Sequence, residues 1–432
     1  MNSQLQTELA YNETFHCVQC GYCLPSCPTY KSMNKETHSP RGRINLVKMV
    51  AEGRLPVEQL NEPIELCLGC RACETVCPTN VPYGSILESA KHVLTQYKKK
   101  HGSKSVNWAK ELLINKTVPN KKAMNFIGGS IRVYEKTKLK SFLHNSKLIN
   151  VLPDRLAIFD RVLPPINSLP ENNDKQAIYY PQKDTRFRVA FFKGCIMDTV
   201  FKKINQLSIK LLAASGCEVT IIDEQTCCGA IHSHSGEIEK AKELAKQNIE
   251  AFEKGTYDFI VNSIGGCGAM LVEYDKLLEH EADWKEKAKN FARKNKDISY
   301  VLSKCEIPFK KELQKIVTYQ PSCHMSNVQK NIDPPLKLLN SIPGITYVIQ
   351  KNVNSCCGSA GTYSLVHYDE SMDILDDKMK NVERTSAQTI VTTNPGCHLQ
   401  MKVGVERINR SNEIEVVHLV ELLTEACDIA ID

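Results

Sequence analysis

The sequence predicts a multidomain α+β protein with an α-helical cysteine-rich module, a helical connector and two repeated α/β domains. Three observations support this: eight of the 19 cysteines lie in the first 80 residues, the next stretch is basic and free of cysteine, and the C-terminal half repeats itself. A chain of 432 residues is long enough for several separate cores. We place the domains at residues 1–90, 91–187, 188–310 and 311–432.

The composition is that of a soluble globular protein, with 42% hydrophobic and 24% charged residues. No stretch reaches the ~18 to 20 apolar residues of a membrane span. The polar N-terminus, which contains Glu8 and Glu13, lacks the basic-then-apolar order of a signal peptide. We therefore expect a cytoplasmic protein, in which thiols stay reduced and so many cysteines indicate metal binding.

The N-terminal cysteines form two identical copies of Cys-x2-Cys-x2-Cys-x3-Cys-Pro. This spacing is typical of bacterial ferredoxins with two [4Fe-4S] clusters, in which three cysteines of one loop bind one cluster and the fourth binds the other. The first cluster is therefore assigned to Cys17, Cys20, Cys23 and Cys77, and the second to Cys67, Cys70, Cys73 and Cys27. Structural zinc sites also use Cys-x2-Cys pairs, but zinc would leave the third cysteine of each loop and both prolines unexplained.

Between the two copies, the apolar-periodic run from Ile44 to Val50 predicts a helix, which makes the module an α-helical ferredoxin. Three arginines, Arg41, Arg43 and Arg71, would offset thiolate and sulfide charge if they lie near the clusters. A solvated position fits each of them equally well.

The connector is strongly basic. Residues 91–147 contain fourteen Lys and Arg but two acids, so this stretch carries about +12 of a chain whose net charge is +6. The run from Val106 to Ile114 predicts an amphipathic surface helix, suited to an acidic partner or to peripheral contact with the inner face of the cell membrane. A solvated face has the same composition, and no recognition motif indicates nucleic acid. Residues 150–187 contain five prolines and are predicted to be a linker.

The C-terminal half contains an internal repeat, in which Cys227-Cys228-Gly229 recurs 129 residues later as Cys356-Cys357-Gly358. Helical patterns such as Val200 to Ala214 and Glu237 to Lys254 alternate with predicted strands, which indicates a parallel sheet in each copy and a pseudo-twofold relation between the copies. The predicted strands are Arg188 to Phe192, Glu218 to Ile222, Phe259 to Val261, Ile316 to Tyr319, Thr346 to Ile349 and Thr389 to Thr392.

Each repeated cysteine follows a predicted strand, and ligands of open parallel sheets bind beyond the carboxyl ends of the strands. Four thiolates that converge there predict a metal site, and an iron-sulfur cluster is favoured over zinc or a redox disulfide. The predicted ligands are Cys195, Cys227, Cys228 and Cys267 in the first repeat, and Cys323, Cys356, Cys357 and Cys397 in the second. Cys217, Cys305 and Cys427 lie outside the repeat and are expected to be buried structural thiols.

Together these motifs resemble one family. The ferredoxin pair, the segments Ser39 to Ile44 and Cys67 to Cys73, and the two Cys-Cys-Gly repeats resemble the iron-sulfur subunit of bacterial glycolate oxidase over nearly the whole chain. Related families are the third subunit of anaerobic glycerol-3-phosphate dehydrogenase, lactate-utilisation proteins and heterodisulfide reductase. In heterodisulfide reductase each repeat ends in Cys-x-x-Cys and binds a non-cubane cluster through five cysteines. Here Met270 and Gln400 occupy the final positions, which argues against that cluster and against disulfide reduction.

The resemblance implies an electron-transfer subunit of a glycolate or related 2-hydroxy-acid dehydrogenase, not catalytic alone. No Gly-x-Gly-x-x-Gly follows a predicted strand, so the acid would be oxidised on a flavin in partner FAD-binding subunits. Electrons would then pass to a quinone-type acceptor. The alternatives are a subunit of anaerobic glycerol-3-phosphate or lactate dehydrogenase, a heterodisulfide-reductase-like enzyme, or repeats that serve only as a scaffold. About sixteen irons per chain would indicate four clusters, and about eight would indicate the scaffold.

Overall fold

The computed structural model describes residues 2–101, 112–137, 158, 160–163, 177–182 and 184–431. The chain divides into two compact units. The first combines the N-terminal 116 residues with 229–242 and 354–378, and the second combines 117–228, 243–353 and 379–432. Most of the amphipathic helix predicted at 106–114 lies outside the described residues. The four predicted domain boundaries stay predictions, because the units join segments that are distant in sequence.

Two long helices form the centre of the first unit, Pro40–Ala51 and Tyr83–His101. The first confirms the helix predicted around Ile44 to Val50. The Ser39 hydroxyl caps it by accepting from the Gly42 N–H at 3.0 Å, and Pro40 occupies the first turn, where a backbone donor is not needed.

The apolar faces of these helices supply the core of the first unit. Val47, Val50, Ile86 and Ala90 follow helical spacing and are buried. Each aliphatic side chain buried in this way contributes about 1.5–3 kcal/mol. The other helices of this unit are Asn2–Glu8, Tyr11–Thr14, Pro28–Met33, Glu36–His38, Val57–Leu60, Asn61–Glu65, Ala72–Thr75, Ala230–His234 and Tyr363–Val366.

The helix Tyr83–His101 also contacts the segment 229–242, which belongs to the same unit. The Thr95 hydroxyl donates to the Ser235 carbonyl at 2.8 Å, and a ring nitrogen of His92 lies 3.0 Å from the Gly236 carbonyl oxygen. The unit is therefore completed by residues far along the chain.

The second unit contains two sheets. The first has the order β1-β3-β2-β4-β5, and only β1 is antiparallel to its neighbour. Its strands are β1 (Ile178–Tyr179), β2 (Phe187–Phe191), β3 (Cys217–Ile221), β4 (Phe259–Asn262) and β5 (Asn295–Asp297).

The second sheet is entirely parallel, with the order β7-β6-β8-β9. Its strands are β6 (Lys315–Gln320), β7 (Ile345–Tyr347), β8 (Thr389–Thr392) and β9 (Glu415–His418). Its order matches β3-β2-β4-β5 of the first sheet, which confirms the predicted parallel sheets. The pseudo-twofold between the repeats stays a prediction.

All six predicted strands are present, with ends shifted by one or two residues. The largest shift is in β7, which ends at Tyr347 because Val348 makes one more hydrogen bond, to the Val317 carbonyl at 2.8 Å, and Ile349 is exposed. The helix predicted from Val200 to Ala214 is broken at Phe201.

Helices cover the sheets of the second unit. Within the part of the chain that the structure describes, none is long and apolar enough to cross a membrane. The helices that lie in this unit or extend into it are Leu112–Thr117, Lys121–Lys136, Cys195–Val200, Lys202–Ala214, Ile238–Glu253, Gly265–Val272, Tyr274–Leu277, Lys285–Lys294, Ile298–Leu302, Cys323–Asn327, Asp333–Ser341, Tyr368–Glu383, Pro395–Arg407 and Leu419–Ala426.

Candidate metal centres

The first ferredoxin loop borders a cavity in the first unit. The cavity is lined by all four cysteines assigned to the first cluster, together with Cys73: Cys17, Cys20, Cys23 and Cys77. Burial and the nearby thiols of Cys77 and Cys20 raise the pKa of Cys17. The structure thus brings Cys77, from the second motif copy, to the first loop, as the crossed assignment requires.

The second ferredoxin loop shows the reciprocal arrangement. Burial, followed by the neighbouring thiols of Cys70, Cys67 and Cys27, raises the pKa of Cys73 well above its usual value. Cys27 comes from the first motif copy and is buried, as is Cys73. Each loop therefore holds three cysteines of its own copy near one of the other.

Hydroxyl groups beside the cysteines were missed by the sequence reasoning. The Thr29 Oγ1 lies 3.2 Å from Cys27 Sγ, and the Thr79 Oγ1 lies 3.5 Å from Cys77 Sγ. The Tyr83 hydroxyl lies 3.3 Å from Cys67 Sγ. The repeated tripeptide Cys-Pro-Thr was the available signal for the two threonines, because hydrogen bonds to sulfur tune iron-sulfur sites.

The three arginines of the module have different environments. Arg41 donates to Glu36 at 2.7 Å, and Arg71 donates to Glu74 at 2.8 Å, so each charge has a carboxylate partner. Arg43 is 1% exposed and lies beside Cys27. The position near a cluster therefore describes Arg43 best.

The first Cys-Cys-Gly repeat gathers its four thiols at one edge of the first sheet. Cys195 follows β2, the Cys227–Cys228 pair follows β3, and Cys267 follows β4, and these strands are neighbours. Cys195 Sγ lies 3.8 Å from Cys227 Sγ, and Cys228 makes side-chain hydrogen bonds with Cys227 and Cys267. The hydrogen bond with Cys227, and then burial, raises the pKa of Cys195. Metal binding must therefore displace protons from these thiols.

Close approach at this site requires Gly194. Its φ is +69°, and a Cβ there would lie 2.4 Å from Ile264 Cδ1 and 3.7 Å from Cys267 Sγ. A larger residue would be strained in the backbone and would clash beside the thiols.

A buried polar clamp holds the Cys-Cys-Gly loop of the first repeat. Asn248 Oδ1 accepts from the Thr226 N–H at 2.8 Å, and its Nδ2 donates to the Cys227 carbonyl at 3.0 Å and to the Tyr274 hydroxyl at 3.1 Å. The Tyr274 hydroxyl donates to the Cys228 carbonyl at 2.9 Å. The backbone of both cysteines is thus fixed by two buried side chains.

The second repeat differs at the corresponding position. Lys378 lies 130 residues after Asn248, is 1% exposed, and places its Nζ 3.3 Å from the Ser355 hydroxyl, next to Cys356. The sequence reasoning missed this buried lysine, because the repeat was aligned on its cysteines.

The four cysteines of the second repeat are divided between the units. Cys323 and Cys397 follow the neighbouring strands β6 and β8 of the second unit, whereas Cys356 and Cys357 belong to the first unit. Convergence of all four stays a prediction. Within the first unit, Cys356 packs in an apolar cluster against which Cys70 is also packed; its other members are Leu68, Tyr363 and Ile374.

The other cysteines lie apart from these sites. Cys217 and Cys427 are buried, as predicted, and Cys305 is half-buried with its sulfur 3.9 Å from that of Cys217. Met270 and Gln400 are also buried.

The donor sets fit clusters better than single ions. Among residues with described positions, no three of His, Cys, Asp and Glu are placed to hold one metal ion. Thiolates alone, spaced around a cavity as at Cys17 to Cys23 and Cys77, are the donors that iron-sulfur clusters use.

Comparison with protein families supports these assignments. Residues 13–81 match the 4Fe-4S dicluster domain, residues 189–272 and 317–402 match the cysteine-rich domain, and residues 105–163 match the linker region of the glycolate oxidase iron-sulfur subunit. The chain is 43% identical to the probable glycolate oxidase iron-sulfur subunit of Bacillus subtilis over 99% of this chain and 97% of that protein. The chain belongs to the family of glycolate oxidase iron-sulfur subunits.

Other members and relatives of this family match over different lengths. The glycolate oxidase iron-sulfur subunit of Escherichia coli is 29% identical over 95% of this chain and 94% of its own. Lactate utilization protein A of Exiguobacterium is 33% identical over 55% of this chain and 97% of its own. The matches confirm the predicted family and an iron-sulfur N-terminal module of the two-cluster type, and the cysteine-rich domains are consistent with further clusters.

Proposed function

We propose that this chain is the electron-transfer subunit of a glycolate-oxidising complex. It takes electrons from a flavin in a partner FAD-binding subunit and delivers them towards a quinone-type acceptor. The observation that carries the proposal is the full-length match to glycolate oxidase iron-sulfur subunits, with thiols gathered where the cysteine spacing predicts them. The lactate-utilisation relatives match 55% of the chain, which favours glycolate over lactate.

The residues that hold the clusters are those assigned from the spacing. Cys17, Cys20, Cys23 and Cys77 bind the first, Cys67, Cys70, Cys73 and Cys27 the second, and each Cys-Cys-Gly repeat supplies four more thiolates. When bound, such clusters accept and release single electrons. The protein positions the thiolates, donates hydrogen bonds to them and controls their exposure to water.

The first ferredoxin site provides the surface that a redox partner can approach. Cys20 is exposed, and the exposed side chains of Val18 and Tyr22 line the same cavity. The apolar contact among Leu68, Tyr363 and Ile374 instead excludes water between Cys70 and Cys356. Electron exchange with the partner therefore belongs to the first site, and exchange with the repeats to the second.

A helix of the basic connector supports peripheral membrane contact on the inner face, where a quinone is accessible. In helix Lys121–Lys136, Phe126 is 77% and Val133 is 61% exposed, and a spacing of two turns puts them on one side. Lys121 and Lys122 at its start are also exposed and suit an anionic surface.

The test is reconstitution. The purified, flavin-free chain should not reduce a dye with glycolate, and glycolate-dependent reduction of its iron-sulfur signals should appear when the FAD-binding subunit is added. Dye reduction by the isolated chain, or a chain that stays oxidised in the complex, would refute the proposal. Iron analysis accompanies the assay, and about sixteen irons per chain is the expected content.

A further inference from the structure

The second ferredoxin site contains a buried cation with no carboxylate partner among the described residues. Arg43 Nε donates to the Pro63 carbonyl at 2.6 Å, Nη2 donates to the Thr29 hydroxyl at 3.0 Å, and Nη1 lies 4.0 Å from Cys27 Sγ. Its carbonyl and hydroxyl partners are uncharged.

An arginine buried in this way is costly unless an anion compensates its charge. Burial lowers the pKa of Arg43, but Cys67, Tyr83 and Cys27 raise it by more, so the guanidinium stays charged. Cys27 and Cys67 are assigned to the second cluster and become thiolates when they bind iron. The anion that matches Arg43 is therefore the ligand set of this site.

Within the described ranges, the first site has no equivalent cation. Its crossing ligand, Cys77, has Thr79 beside it just as Cys27 has Thr29, but the residue 16 positions beyond Cys77 is Val93, where Arg43 stands beyond Cys27. The arginine near the first loop, Arg41, donates to the Gln19 carbonyl, and its charge is balanced by Glu36. The two sites are thus alike in their cysteines and hydroxyls and differ in buried charge.

Exposure acts in the opposite direction. Water stabilises the negative charge that each one-electron reduction adds, and Cys20 of the first site is exposed whereas Cys27 and Cys73 of the second are buried. A buried charge, however, acts through a lower dielectric than water and is weakly screened.

We propose that Arg43 sets the order of reduction in the ferredoxin module and makes the second site the more easily reduced one. Electrons that enter at the exposed first site are then drawn to the site that contacts Cys356. The inference rests on the ligand assignment of the proposed function.

The test is a redox titration of the cluster-loaded full chain, with dithionite as reductant and electron paramagnetic resonance as readout. Cys20→Ser and Cys70→Ser assign the signals to the first and second sites. Arg43→Met removes the charge and keeps most of the apolar stem. The second-site midpoint should fall by at least about 59 mV, which is a tenfold loss in its reduction equilibrium constant, while the first-site midpoint stays unchanged.

Two further variants separate charge from structure. Arg43→Lys should restore most of the lost potential, because it keeps the charge. Arg41→Met, the matched control at the paired surface arginine, should leave the second-site midpoint unchanged. If Arg43→Met does not assemble the second cluster, Thr29→Val removes a hydroxyl that contacts both Arg43 and Cys27, and a smaller negative shift confined to the second site is expected.

A wild-type second site with the lower midpoint overturns the inference, as does a second-site midpoint that Arg43→Met and Thr29→Val leave in place. Equal shifts at both sites in Arg43→Met also overturn it, because they indicate a structural effect. If Cys70→Ser leaves both signals intact, the ligand assignment itself is wrong, so the two failures are distinguishable.

Discussion

Replacement of Asn248 by Ala should destabilise the second unit by about 3 kcal/mol and release iron from the first repeat. The Asn248 side chain is fully buried. Without it, the Thr226 N–H loses its 2.8 Å partner, and the Cys227 carbonyl keeps only a long contact of 3.4 Å from the Thr226 hydroxyl. Each buried group left without a hydrogen bond costs roughly 1–3 kcal/mol, and the total stability of a domain is about 5–15 kcal/mol.

The assay is urea unfolding of the cluster-free chain followed by circular dichroism, together with iron analysis of the loaded chain. Gln247→Ala is the matched control, because Gln247 is exposed on the same helix and bonds weakly to Glu243 at 3.4 Å. It should change the free energy of unfolding by less than about 0.5 kcal/mol. If Asn248→Ala unfolds at the same urea concentration as Gln247→Ala and keeps its iron, the clamp has no role.

Three other outcomes are expected. Cys20→Ser or Cys70→Ser should each remove one low-potential signal and stop electron transfer, whereas Cys217→Ser should leave the iron content unchanged; an intact pair of signals after Cys20→Ser contradicts the assignment. Burial lowers the pKa of His418 to about 4 from 6.5, so the unfolded chain binds the proton first. The cluster-free chain should be fully stable above about pH 6.5 and lose up to roughly 3 kcal/mol from this group as the pH falls towards 4, a loss that His418→Asn should abolish in urea titrations. Phe126→Asp should weaken sedimentation with anionic vesicles but not with neutral ones, and equal binding by the variant contradicts membrane contact by that face.

The parallel sheets were predictable because interior strands such as Thr389–Thr392 are buried throughout and form short continuous runs rich in β-branched residues. The ferredoxin ligands were predictable because two identical spacings leave few alternatives. Both signals are local in sequence, and the structure reproduces them within a residue or two.

The environments of single charged side chains could not be predicted. Arg41 and Arg43 are two residues apart, but one pairs with a carboxylate and the other is enclosed beside Cys27. Likewise, nothing in the helical pattern indicates that Lys378 is buried where the first repeat has Asn248. These differences depend on which distant segments pack against each position, and a residue's own periodicity does not contain that information.

The composition of the first unit from three separate segments has a consequence for biosynthesis. The ferredoxin loops leave the ribosome early, but the unit that encloses them includes residues 229–242 and 354–378. Contacts such as that of Thr95 with Ser235 form only after more than half of the chain has been translated. The nascent N-terminal module thus waits, with its thiols unprotected, until synthesis passes residue 378, and cluster insertion before that point would act on a partly enclosed site.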